Sequence, residues 1–199
     1  MSEQGRTANL SRRTQETEIE VDLNVDGCGN VTVQTGIGFF DHMLASFAFH
    51  AGFDLKLTAR GDLHVDAHHT VEDVGIVLGQ ALDRALGEKR GIVRFGSALL
   101  PMDDALVKVA VDLSGRPYLV WKVPIGVERI GELPAELLEE FWRAFATHAG
   151  ANVHVVLEHG SNAHHIAEAA FKGVGRAVRT AVAQDPGLRT VPSLKGTLS

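Results

Sequence analysis

Apolar and polar residues alternate from Thr17 onward. Ile19, Val21, Leu23 and Val25 take every second place, the pattern of a strand with one buried face. Asp26-Gly27-Cys28-Gly29-Asn30 reads as a turn, and Val31 to Gln34 as a returning strand. The period then changes. Phe39, Phe40, Met43, Leu44 and Phe47 fall at helical spacing, which predicts a helix over 39–51. Residues 53–57 alternate again. Val71, Val74, Leu78, Ala81, Leu82 and Ala85 line one face of a helix over 70–86, with Gly87 as its stop.

The same order then recurs. Strands are predicted over 105–113 and 118–123, with a Ser114-Gly115 turn between them. A helix over 137–149, a strand over 153–157 and a helix over 166–183 follow. Each half reads β-β-α-β-α. Phe47-Ala48-Phe49-His50-Ala51-Gly52 aligns with Phe145-Ala146-Thr147-His148-Ala149-Gly150, which sets His42 opposite Glu140. One such unit alone buries little surface, whereas two can join their sheets and cover them with helices. The expected fold is therefore an internally duplicated α/β (α+β) domain. It comprises a polar, mobile arm over 1–15, a first half over 16–90, and a second half over 91–199 ending in a C-terminal tail.

Composition narrows the chemistry. The net charge of −6 and the lack of a long basic run argue against nucleic acid and an anionic membrane surface as partners. Cys28 is the single cysteine, so an intrachain disulfide and thiolate zinc sites are excluded. No stretch approaches the ~18 apolar residues of a membrane span. The first residues lack the apolar core of a secretory signal, so a cytoplasmic protein is expected.

Two segments repeat one string of ligand types: His68-His69-Thr70-Val71-Glu72 and His164-His165-Ile166-Ala167-Glu168, both HHxxE at a predicted helix start. A single copy is as compatible with solvated histidines as with ligands; two copies inside a matching repeat point to metal. On a helix, residues i and i+4 share a face, as do i and i+3, so either histidine can converge on the glutamate. Adjacent histidines point about 100° apart and do not readily grip one ion together. Two sites, each drawing one histidine from each motif, resolve this, and His42 and Glu140 complete a set of eight: His42, His68, His69, Glu72, Glu140, His164, His165 and Glu168. Imidazole and carboxylate without thiolate suit Mn²⁺, Fe²⁺ or Zn²⁺. Four protein ligands leave positions open for substrate or water on an octahedral ion, which favours catalysis.

Taken in order, Thr35-Gly36-Ile37-Gly38-Phe39-Phe40-Asp41-His42-Met43-Leu44, Ala67 to Asp73, Asp112 to Tyr118, Asn162 to Lys172 and Pro192-Ser193-Leu194-Lys195-Gly196 resemble the imidazoleglycerol-phosphate dehydratase family of histidine biosynthesis. The resemblance runs from about Arg12 to Lys195. It implies a fold of the ribosomal-protein-S5-domain-2 kind and a homo-oligomer of 24 chains, with two Mn²⁺ per subunit at subunit contacts. It also implies dehydration of D-erythro-imidazoleglycerol phosphate to imidazole-acetol phosphate plus water, through an imidazolate or diazafulvene-type intermediate. Glu16, Arg94, Arg116, Lys172, Ser193 and Lys195 match the family's substrate and phosphate contacts, and Glu16, Glu72 or Glu168 would move protons. A dinuclear hydrolase of a phosphorylated small molecule and a metal-storing cage are the competing readings.

Overall fold

The structure, a computed structural model, describes residues 5–198. The duplication is present; the four-stranded sheet of each half carries one more strand than the hydrophobic pattern reveals, and the second half adds a small two-stranded hairpin. The first half runs β1 (Thr7–Arg13), β2 (Thr17–Asn24), β3 (Val31–Gln34), α1 (Gly38–Ala51), β4 (Asp54–Gly61) and α2 (His68–Leu86). The second runs β5 (Phe95–Met102), β6 (Ala105–Asp112), β7 (Tyr118–Lys122), a two-residue hairpin β8 (Arg129–Ile130) and β9 (Leu133–Pro134), α3 (Leu137–Ala149), β10 (Asn152–His159) and α4 (Ala163–Val182). Where a mobile arm over 1–15 was expected, Thr7–Arg13 pair antiparallel with β2 along their whole length. The first four residues of that arm lie outside the described range.

The two sheets share one topology. Their strand orders are β1-β2-β4-β3 and β5-β6-β10-β7, each with the third strand added in parallel at the far edge. Each sheet turns its alternating apolar face to the helices. The helices pair across the halves, α2 with α3 and α1 with α4. Close approach requires glycine at equivalent places. A Cβ on Gly79 would stand 2.6 Å from the Phe145 carbonyl, and one on Gly175 2.5 Å from the Phe47 carbonyl. Between the pairs, Phe40, Phe47, Phe141, Trp142, Phe145 and Phe171 pack edge to face or stacked, all essentially without exposure. Truncating one such ring to alanine typically costs about 3–5 kcal/mol, so this aromatic centre clamps the two halves together.

The helix starts matter for function. Asn162 Oδ1 accepts from the backbone N–H of His164 (3.0 Å) and His165 (3.2 Å), so α4 opens at Ala163 rather than 166. Asp66 does the same for His68 N–H at 2.7 Å. Both HHxxE strings therefore sit in the first turns of their helices, where residue direction is fixed.

Candidate metal centre and anion pocket

Helix α1 brings His42 against the first turns of α4. The ligand atoms of His42, His164 and Glu168 lie within 4.8 Å of one another. Ligands about 2.1 Å from an ion stand at most roughly 4.2 Å apart, so a small closure lets this set grip one cation. The entry into α1 is locked by Asp41, whose Oδ1 accepts from Thr35 N–H (2.8 Å) and Thr35 Oγ1 (2.6 Å). That lock explains the Thr-Gly-Ile-Gly-Phe-Phe-Asp-His string: it aims His42.

Glu168 is buried, at 6% exposure. Its Oε2 pairs with His164 Nε2 at 3.1 Å; its Oε1 takes Lys172 Nζ at 2.8 Å and faces His42 Nε2 at 3.6 Å. Burial is the largest single influence on this carboxyl and pushes its pKa up. The hydrogen bond and charge of Lys172, with His42 and His164, outweigh it and hold the group below the ordinary carboxylate value. Glu168 thus stays an anion, the form that ligates metal.

The related set in the other half is not drawn together to the same degree. His68 Nε2 and Glu72 Oε2 stand 3.8 Å apart at the surface. Glu140 lies instead beside Arg143 Nε at 3.6 Å. His69 and His165 point to other partners, as the geometry of adjacent helical residues demands. His165 Nδ1 meets Asp104 Oδ1 at 2.7 Å, with Asp103 3.4 Å from its Nε2. His69 Nδ1 meets Asp62 Oδ2 at 3.0 Å, with Glu16 Oε1 3.9 Å from its Nε2. The Asp62 hydrogen bond raises the His69 pKa, helped by the charges of Glu16 and Asp66 against a smaller desolvation effect. Backbone N–H groups of Asn162 and Ser161, with His165 and the Ser161 hydroxyl, hold Asp104 far below the usual carboxylate range.

Sequence reasoning did not find Asp62, Asp103 or Asp104. No spacing exposes them, since Asp104 lies 61 residues before His165. Only the general habit of ligating histidines, which give their second ring nitrogen to a carboxylate, suggests looking for such groups.

The cations divide into two places. Arg94, Arg116, Ser193 and Lys195 line one pocket of ≈ 590 Å³, closed on one side by the C-terminal segment Leu188 to Leu198. Within it Arg94 is already engaged: Nε and Nη2 donate to Asp112 (2.7 and 3.1 Å), and Nη1 donates to the Pro192 carbonyl at 2.8 Å. Arg94 therefore pins the tail, while Arg116 and Lys195 have no side-chain ion-pair partner among the described residues. Lys172 does not line this pocket; it belongs to the Glu168 cluster.

Fold and site together define an internally duplicated α/β protein with an imidazole–carboxylate cluster suited to a divalent cation and a separate pocket lined by Arg94, Arg116 and Lys195. Residues 35–178 match the family described as imidazoleglycerol-phosphate dehydratase. The chain is 58% identical over 97% of its length to the whole imidazoleglycerol-phosphate dehydratase of Cereibacter sphaeroides (strain ATCC 17029 / ATH 2.4.9). It is 56% identical over 98% to that of Gluconobacter oxydans (strain 621H), covering 99% of it. Among solved structures, the Pyrococcus furiosus enzyme superposes with a TM-score of 0.81 at 42% identity, over 95% of this chain and 100% of that one. The Staphylococcus aureus enzyme gives 0.78 at 37%, over 89% and 99%. The chain belongs to the imidazoleglycerol-phosphate dehydratase family and is a lyase of the dehydratase kind. Among the described residues, no helix is long and apolar enough to cross a membrane.

Proposed function

We propose that the chain dehydrates D-erythro-imidazoleglycerol phosphate to imidazole-acetol phosphate and water, as a cytoplasmic enzyme of histidine biosynthesis. The observation that carries this reading is the convergence of His42, His164 and buried Glu168 on one point, in a chain that also gathers Arg116, Ser193 and Lys195 around a pocket of phosphate-binding chemistry.

The donor set fits Mn²⁺: two imidazoles, one carboxylate kept anionic, and no thiolate. His42, His164 and Glu168 would hold one ion, and His68, Glu72 and Glu140 contribute to a second. His69 and His165 do not join the group of His42, His164 and Glu168, and their Nε2 atoms stand 3.9 Å from Glu16 and 3.4 Å from Asp103, which is compatible with sites completed between copies in the 24-chain assembly. When bound, Mn²⁺ supplies Lewis acidity to the imidazole ring of the substrate and lowers the cost of removing the neighbouring C–H proton.

The chain's residues do the rest. Arg116 and Lys195 neutralise the phosphate, Ser193 adds a hydroxyl, and Arg94 keeps the tail in place. Glu16 lies beside His69 with an exposed carboxylate, placed to hold or move a proton; Glu72 is the other surface carboxylate at the site. The proton leaves carbon, the hydroxyl departs with its electron pair, the two together make water, and the enol left behind gives up its O–H proton and takes one on carbon to become the ketone.

The test is to strip the protein with chelator, restore Mn²⁺, supply imidazoleglycerol phosphate and follow imidazole-acetol phosphate. Metal-dependent product is expected. Release of inorganic phosphate instead would replace the reading with that of a hydrolase. Arg116→Ala and Lys195→Ala should each raise KM about tenfold or more, the loss of one charge-assisted phosphate contact. A cage for metal storage would be indifferent to both.

A further inference from the structure

The outer histidines of the two HHxxE motifs are held by carboxylates that the duplication does not supply in the same way. In the second half the carboxylate comes from Asp104, the residue just before β6. Its Oδ1 takes His165 Nδ1 at 2.7 Å, while its Oδ2 accepts from Ser161 N–H (2.7 Å), Ser161 Oγ (2.9 Å) and Asn162 N–H (3.0 Å). In the first half the residue just before β2 is Glu16, and it does not make this contact. Asp62, the first residue after β4, takes His69 Nδ1 instead, at 3.0 and 3.3 Å. The residue after β10, the counterpart of Asp62, is Gly160.

A contact carried passively through a duplication recurs at equivalent positions. Here the positions differ and only the contact recurs. A carboxylate on Nδ1 fixes the tautomer, so the Nε2 lone pair faces outward and the ring cannot turn. In the first half the exchange of anchors has a second result. Among the described residues Glu16 has no side-chain hydrogen bond, and it stands 3.9 Å from His69 Nε2. Asp62 N–H donates to the Glu16 carbonyl at 3.1 Å. One residue thus sets both the histidine ring and the backbone that carries the carboxylate facing it.

We propose that Asp62 and Asp104 are positioning residues that present His69 and His165 through Nε2, and that Asp62, by taking Nδ1, frees Glu16 to face the reacting side. The inference rests on the metal and proton roles given above to His69, His165 and Glu16.

The experiment compares the full-length protein with Asp62→Asn and Asp62→Ala after chelator stripping. Mn²⁺ affinity is read by competition with a chromophoric chelator, the His69 tautomer by solid-state nitrogen-15 NMR, and kcat separately from KM in the reloaded enzyme. Asp62→Ala should weaken Mn²⁺ binding about 10–100-fold, mix the His69 tautomers and lower kcat more than KM. Asp62→Asn keeps an oxygen for Nδ1–H and should recover most of both. Wild-type His69 protonated on Nε2 overturns the proposal, even if Asp62→Ala fails to fold. So does Asp62→Ala with unchanged Mn²⁺ affinity and tautomer. A wild-type protein that binds no Mn²⁺ would instead overturn the functional reading itself, which separates the two failures.

Discussion

Helix pair α1–α4 and helix pair α2–α3 are built on one plan, yet among the described residues only the first closes a ligand set. Glu168 and Glu72 occupy the same place in their motifs. Four residues on, Glu168 meets Lys172, whereas Glu72 meets Ile76, so one carboxylate is held and the other is loose. His42 and Glu140 are likewise equivalent. Three residues beyond His42 is Ala45; three beyond Glu140 is Arg143, which hydrogen-bonds Glu139 at 2.5 Å and stands 3.6 Å from Glu140, a cation beside the carboxylate that the first half lacks. Topology brings the helices together in both halves, but neighbouring side chains decide whether the ligands meet. A preorganised site binds without first ordering its ligands, and a loose one must order them at the moment of binding.

This contrast predicts two separable Mn²⁺ binding steps. Glu168→Gln should abolish the tighter step and reduce turnover by more than the roughly 10–100-fold that disturbing a ligand's support costs. Glu72→Gln should spare the tighter step and remove the weaker one. A chelator-competition titration of the two variants decides it. Loss of the same step in both would show that the halves bind as one unit and that the difference between them has no energetic meaning.

A second contrast lies where the helices meet the sheets. In the first half, buried Asp73 on α2 accepts from Arg12 on β1 and from the Thr17 hydroxyl on β2. At the equivalent positions the second half has Leu100, Ala105 and Ala169: one fastening is polar, the other apolar. Asp73→Ala leaves two donors unpaired at the helix–sheet contact and should cost about 1–3 kcal/mol, lowering Tm by roughly 2–4 °C per kcal/mol in a domain of this size. Adding Arg12→Leu and Thr17→Ala, which copies the other half, should return most of it, because removing every member of a polar network is far milder than removing one. A triple variant less stable than Asp73→Ala would show that the two fastenings are not interchangeable.

The duplication and both HHxxE motifs were legible in the sequence because they depend on local period and residue type. Two of the strands that the pattern missed, β1 and β5, are edge strands whose patterns do not alternate in the usual sense. The inward places of β1 are Ala8, Leu10 and Arg12, and its outward ones are polar. On β5 the inward Leu100 and Met102 are apolar, but so are the outward Phe95 and Leu99, at 56% and 62% exposure, and Gly96 faces in. A Cβ on Gly96 would stand 1.9 Å from the Ala177 carbonyl, so α4 admits nothing larger there. The site shows the same division. The candidate ligands could be read by type and repeat. Asp62 and Asp104 could not, because they depend on which loops fall side by side after folding; Arg143, three residues beyond Glu140 on one helix, was open to reading by spacing.

The smallest expected effect is a pH dependence confined to one helix pair. His50 at the end of α1 is partly buried beside α4, and burial lowers its pKa below 6.5, assisted by the charges of Lys172 and Arg176 and opposed by Glu168. The places of Lys172 and Arg176 on α2 are held by Ile76 and Gln80, so the second pair has no such cations. A depressed folded-state value means that the folded protein binds this proton less readily than the unfolded chain. The stability His50 contributes is therefore present above about pH 6.5 and is lost as pH falls through its folded value. Histidine NMR should show His50 titrating below 6.5, and Arg176→Gln, which copies the other pair, should move it upward. If Arg176→Gln leaves His50 unmoved, burial alone sets its value, and the charge difference between the two helix pairs has no part in how the protein answers acid.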